Sequence, residues 1–175
     1  MQLQIQFEGN ASAAMFSQFP DALRRAIERG LERATELLER AVAAAALSPF
    51  GARSGAPLGE LARSLKREVF SEGGQDNVRA VGRVFLGAPA DQYGIFVEVG
   101  TRPHFPPPAA IESWVRRRLG VTNDRQAREL AFLIGRKIAR TGTPGRFLFE
   151  RALEENVDRV VAILEEEVAQ AVSGE

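Results

Sequence analysis

The chain holds one histidine, His104, the side chain best suited to acid–base chemistry near neutral pH. A general base needs an orienting partner and a reachable substrate. Glu98 lies in the same stretch, YGIFVEVGTRPHFPPP from Tyr93 to Pro108. Nothing completes a triad around the pair: there is no Gly-x-Ser-x-Gly elbow, and no cysteine for a Cys–His pair. His104 therefore reads as a loop or interface residue, with a small hydrolase using Glu98 and His104 kept as an alternative. Glu98 and Glu112 could be imagined as paired carboxylates or metal ligands. An acid on a strand beside a basic loop is instead expected to pair with an arginine such as Arg102.

The remaining candidates are weighed the same way. Without cysteine, disulfides and thiolate metal sites are excluded, and one histidine excludes a multi-histidine zinc site within the chain. Gly51, Gly55 and Gly59 do not form a phosphate loop, because no Gly-Lys-Ser/Thr follows at the required spacing. Arg116, Arg117 and Arg118 could contact phosphate, but a solvated helix face or a protein contact is the plainer reading. Trp114 shares its helix face with Ile111 and Val115 and reads as core. Pro106 to Pro108 read as a stiff linker opening a helix, more simply than as a polyproline ligand. No catalytic, cofactor-binding or metal residue is assigned, and the chain is expected to be neither an enzyme nor a cofactor carrier.

Length and composition bound the elements that carry these residues. At 175 residues the chain fits one domain, 1–175, since splitting it would leave two small cores. Equal numbers of acidic and basic residues lower the prior for a primary nucleic-acid binder. The N-terminus lacks a signal-peptide pattern. The strongly apolar run from Ala41 to Leu47 is far short of the roughly 20 residues needed to span a bilayer. A soluble protein made in the cytoplasm, with no membrane partner, is the expectation.

Leu3, Ile5 and Phe7 alternate with glutamines as a half-buried strand. Pro20 and Asp21 open a long helix, about 20–46, with Leu23, Ile27, Leu31, Leu38, Val42 and Ala45 at helical spacing and a charged, solvated opposite face. Residues 48–59 read as a loop. Strands are expected at Leu65–Phe70, Val78–Leu86 and Tyr93–Val99, in an antiparallel meander with turns at Gly73-Gly74 and Gly87-Ala88-Pro89. The period then turns helical. One helix through Ile111, Trp114, Val115 and Leu119 stops at Gly120. A second, capped by Thr122 or Asn123, buries Ala127, Leu130, Ala131, Ile134 and Ile138 and ends at Gly142. After a turn at Pro144-Gly145, a last helix carries Leu153, Val157, Val160, Val161, Leu164 and Val168 on one face. The fold class is α+β: a small antiparallel sheet packed against long N- and C-terminal helices, with a two-helix insertion at about 108–142.

Tyr93 to Thr101 resembles the Tyr-Ala-x-x-Val-Glu-Phe-Gly-Thr signature of the gene-product-ten-like family of tailed bacteriophages. Three further segments agree in order. Gly59 to Leu65 is similar to the family's Gly-x-Leu-x-x-Ser-Ile, and Pro107 to Gly142 to its helical insertion with Trp-Val-Arg-Arg and Ile-Ala-Arg-x-Gly-Thr. Pro144 to Leu153 is similar to its Pro-x-Pro-Phe-Leu-x-x-Ala-Leu. Gly94, Val99 and Arg146 depart from the usual alanine, phenylalanine and proline. The resemblance implies a structural virion protein, a head–tail connector or tail-completion component of the neck, that forms a ring and joins tail to head. The implied partners are other copies of itself, as a hexamer first and a dodecamer second, and head-closure and tail-terminator or tail-tube proteins. DNA would be only a passing contact in the lumen. The implied location is the virion neck, reached from the host cytoplasm during assembly. Family-signature or interface candidates are Tyr93, Glu98, Gly100, Thr101, Arg102, His104, Arg116, Arg117, Arg118 and Phe147.

A ring repeats one contact between two different patches. Basic residues crowd the stretch from Ile111 to Arg146 and acidic ones the stretch from Glu150 to Glu175. The expectation is that the basic insertion of one subunit faces the acidic C-terminal helix of another, with pairing inside one chain as the competing arrangement. The loops 48–59 and 102–108 are the expected docking elements. A DNA-binding module using the arginine-rich insertion is the remaining alternative.

Overall fold

The computed structural model describes residues 2–7, 21–47, 58–74 and 77–173. In order these form β1 (Gln2–Phe7), α1 (Asp21–Leu47), α2 (Leu58–Arg63), β2 (Leu65–Gly74), β3 (Asn77–Leu86) and a single 3-10 turn at Ala90–Gln92. Then follow α3 (Gly94–Val99), β4 (Gly100–Thr101), α4 (Pro108–Leu119), α5 (Asp124–Thr141), β5 (Thr143–Pro144), α6 (Leu148–Glu154) and α7 (Val157–Ser173). The class is α+β, as the residue periodicities predict.

The main sheet is antiparallel in the order β1-β3-β2. Gly82 stands at its centre, opposite Ile5 on one side and Val69 on the other. A Cβ there would lie 2.7 Å from Cγ2 of Thr35, so a bare backbone lets α1 lie close against the strand. Thr35 donates its hydroxyl to the Leu31 carbonyl at 2.8 Å. That bond satisfies the buried oxygen within its own helix and leaves the methyl for packing. Ile27, Leu31, Ala34, Leu38, Val42 and Ala46 are all buried along one face of α1. They meet Val84 and Leu86 of β3, Leu61 of α2, Leu148 and Phe149 of α6 and Val160 of α7 in the core.

The close packing of α7 on α1 turns on another small residue. A Cβ at Gly30 would be 2.9 Å from Cδ2 of Leu164. The glycine weakens α1 by up to about 1 kcal/mol, and the helix contact compensates. Beside it, Glu167 is buried and accepts from Arg29 Nε at 2.9 Å and Arg33 Nη1 at 2.7 Å. Arg33 also pairs with Glu166 at 3.0 Å. The hydrogen bond from Arg33, joined by that from Arg29, outweighs burial and holds the Glu167 carboxyl below its ordinary range. The flank of the α1 core face that carries Gly30, together with Arg29 and Arg33 beside it, is thus a docking strip for α7.

Several local expectations change. Residues 93–99 are not a third strand: α3 occupies them, and the third strand of the sheet is β1. Gly73-Gly74 belong to β2, Gly59 lies in α2, and Pro144 pairs with Gly100 instead of turning. The expected last helix is two, α6 and α7, separated at Glu155 and Asn156. Asn156 donates its side-chain Nδ2 to the Ala152 carbonyl at 2.9 Å, closing the end of α6. Consequently Val157 and Val161 face outward, while Val160 is buried. Pro20, residues 48–57 and the side chains of Leu3, Ile5 and Phe7 lie outside the described residues.

The two-helix insertion is as expected. Asn123 caps α5 by accepting from the Gln126 amide at 3.0 Å, and Gly120 ends α4 in the left-handed region. The pair has its own apolar cluster of Val115, Ala127 and Ala131, against which Ile111, Trp114, Leu130 and Ile134 pack. Trp114 is therefore part of that core.

Candidate functional site

Glu98 organises the centre of the molecule. It is 2% exposed, and a carboxylate so buried must find donors. Oε2 accepts from the Leu148 amide at 2.7 Å, both oxygens share the Phe149 amide at 3.1 and 3.2 Å, and Oε1 accepts from the Glu150 amide at 3.2 Å. These are the orphan donors of the first turn of α6. The residue before that turn, Phe147, has φ 52° and makes no side-chain cap of its own. Glu98 supplies the cap from fifty positions away. Its carbonyl also accepts from Arg146 N at 2.9 Å and Phe147 N at 3.0 Å.

This corrects the expected ion pair with Arg102. Among the described residues Glu98 has no ion pair, and Arg102 is exposed. Backbone amides win because they already converge on the buried site, whereas a guanidinium would have to be desolvated to reach it. The α3 helix makes the geometry: Gly94 and Glu98 fall on its buried side, while Ile95, Phe96 and Val99 are 42%, 56% and 54% exposed. The residues alternate acceptably for a strand, and a run this short does not separate the two periods.

The flanking residues lock the same junction. Gly100 and Thr101 pair with Pro144 and Thr143. The Thr101 and Thr143 hydroxyls lie 2.9 Å apart, and the Thr143 amide donates to Thr101 Oγ1 at 3.1 Å. Gly142, at φ 69°, lies hard against the Thr101 carbonyl, where no Cβ fits. On the other side Tyr93 donates its hydroxyl to Glu60 Oε2 at 3.4 Å. Burial, then the Glu60 charge, raises the Tyr93 pKa. From the sequence, Gly142 and Gly145 read only as a helix end and a turn, and Thr143 and Glu60 have no role of their own. For Gly142, Thr143 and Gly145 the only local signal is small or polar residues at the end of the helical insertion, and Glu60, in α2, carries none.

The exposed side of α3 and residues 100–104 enclose an open groove of about 870 Å³, lined by Ile95, Phe96, Val99, Arg102, Pro103 and His104. Its volume is within the small-molecule range, but polar groups do not converge in it as they do in a ligand pocket. His104 is exposed, with Nδ1 2.9 Å from the Arg102 carbonyl, and no hydrogen bond joins it to Glu98. The Phe105 ring packs on Gly135, at 3.4 Å from where a Cβ would be, and holds the proline loop on α5.

The arginine triplet is split by the structure. Arg116 Nη2 contacts both Glu112 and Asp124 at 2.8 Å, clamping α4 to the start of α5. These hydrogen bonds, the one to Glu112 first, raise its pKa. Arg117 donates to Ser113 Oγ at 2.6 Å. Phe147 is half-exposed beside Gly145. Among the described residues no group of three or more histidine, aspartate or glutamate side chains is arranged to hold a metal ion. Nor is any helix there long and apolar enough to cross a membrane. No family model, curated protein or solved structure matches the chain.

Proposed function

We propose that this chain is a structural virion protein of a tailed phage: a ring-forming neck component that completes the tail and joins it to the head. The supporting observation is spatial. The four segments that resemble the gene-product-ten-like family each touch the stretch from Tyr93 to Thr101 that carries Glu98, or are that stretch. Tyr93 reaches Glu60 in the first segment, and Glu98 caps α6 in the last. Gly100 and Thr101 pair with the strand that follows the helical insertion. The resembling residues therefore form one junction that sets how the α4–α5 hairpin and the groove project from the core. Such a junction suits a protein whose work is to present surfaces to neighbours.

The alternatives have less behind them. A hydrolase using Glu98 and His104 needs the two to cooperate, but the Glu98 oxygens are taken by backbone amides. A DNA-binding hairpin would use arginines of which Arg116 and Arg125 are already paired with acids of the same hairpin. The test is genetic and visual. A phage lacking this protein should yield DNA-filled heads and separate tails, and a tagged copy should mark the head–tail junction in electron micrographs. Normal joined virions without the protein would refute the reading.

A further inference from the structure

We propose that the groove between α3 and residues 100–104 receives helix α7 of a second copy of this chain, so that subunits associate head to tail. The inference names the self-contact that a ring-forming neck protein requires, and rests on that reading for its place in the virion.

The groove carries apolar and basic residues together. Ile95, Phe96 and Val99 supply its apolar lining, and Arg102 its basic residue. The end of α5 lies beside the groove, because Gly142 there touches the carbonyl of Thr101, a groove residue. The last turns of α5 therefore run up to the groove, carrying Lys137 and Arg140. Arg102, Lys137 and Arg140 are exposed and form no ion pair among the described residues.

The same chain carries the complementary surface. On α7, Val157, Val161 and Val172 are 46%, 47% and 76% exposed. At 100° per residue they fall within about 60° of one another, along the flank of the face that packs on α1, where Val168 turns into the core. Asp158 and Glu165 stand beside these valines, exposed and unpaired among the described residues. The other acids of this helix, Glu166 and Glu167, are consumed by α1. The charges left over are thus negative around an apolar ridge and positive around an apolar groove, on one chain of zero net charge. An amphipathic helix laid in a groove is a recurrent mode of recognition, with charge setting its register. In its own subunit α7 packs along α1, so the groove is filled by a neighbour's α7. Two different patches make the contact heterologous, which closes into rings or runs on as filaments.

The absence of cysteine permits a direct test. Val99→Cys and Val161→Cys are exposed substitutions, and a chain carrying both should form a ladder of covalent multimers under mild oxidation. Mixed single variants should give the V99C–V161C heterodimer in preference to either homodimer. In sedimentation, the pair Arg102→Glu and Arg140→Glu should weaken self-association by about a hundredfold. Adding Asp158→Arg and Glu165→Arg to the same chain should restore it. A wild-type chain that stays monomeric without cross-linking, homodimers in preference to heterodimers, or no recovery in the fourfold variant would each overturn the contact. Cross-linked ladders from a protein missing from virions would leave the contact standing and remove the neck reading. A neck protein joined through another face would do the reverse.

Discussion

Replacing Glu98 with alanine tests the junction most directly. The carboxylate serves three amides of α6 at 2.7 to 3.2 Å. Hydrogen bonds to a charged group contribute about 1.5–3 kcal/mol each, so the gross interaction is about 5–9 kcal/mol. Burying the carboxylate costs several kcal/mol in return. Truncation also strands buried amides, each costing about 1–3 kcal/mol. The net expectation for Glu98→Ala is a loss of about 3–5 kcal/mol, or about 6–20 °C in Tm for a chain of this size. Glu98→Gln keeps one acceptor oxygen but turns an NH2 group toward an amide, and should lose about 2–3 kcal/mol. Urea unfolding of both variants supplies the magnitudes, and hydrogen exchange supplies the location. The Leu148 and Phe149 amides should lose protection before those of α1. An alanine variant within about 1 kcal/mol of wild type, with both amides still protected, would refute the capping argument.

Three further outcomes follow from the same geometry. The Glu167 carboxyl is held below its ordinary range by Arg33 and Arg29, so the unfolded chain takes up that proton first as pH falls. The stabilisation is whole above the ordinary carboxylate pKa of about 4.3 and drains away as pH drops through the folded value; Glu167→Gln should flatten that part of a stability–pH profile, and an unchanged slope would count against the cluster. Gly142→Ala should cost more than about 3 kcal/mol, since positive φ and the Thr101 carbonyl both oppose a Cβ. Gly120→Ala should cost only about 1–2 kcal/mol, because nothing lies within 4 Å; equal thermal shifts for the two would show the contact to be slack. Arg116→Glu should raise hydrogen exchange in the first turn of α5, where Asp124 loses its partner, whereas Arg117→Glu should not; identical exchange in both would deny Arg116 its clamping role.

The residue periodicities carry the long helix α1, strands β2 and β3 and the α4–α5 hairpin with its caps. Each is either long enough to repeat its pattern or bounded by glycine or a capping side chain. The misreading of α3 has a definite cause. GIFVEV is apolar on both sides of its acid, and six residues satisfy a strand and a helix alike. The facing of Val157 and Val161 was missed for a related reason. The chain breaks at Asn156, which restarts the helical phase and turns those valines outward. Arg116 differs from Arg117 and Arg118 because adjacent residues on a helix point in different directions, and Glu112 and Asp124 both reach the first.

What the sequence by itself determined is which segments are helical or extended over long stretches, and which residue types are scarce enough to exclude disulfide and multi-histidine zinc chemistry. Hydrophobic period and capping chemistry are local properties, expressed within a few turns of chain. Only the tertiary structure decided what Glu98 binds, that Thr101 meets Thr143, and that an apolar groove opens beside Arg102. The first two depend on contacts between residues tens of positions apart, and the groove on a helix, in place of a strand, at Gly94–Val99. A buried carboxylate takes whichever donors the closed chain brings to it, and here they are the free amides of α6.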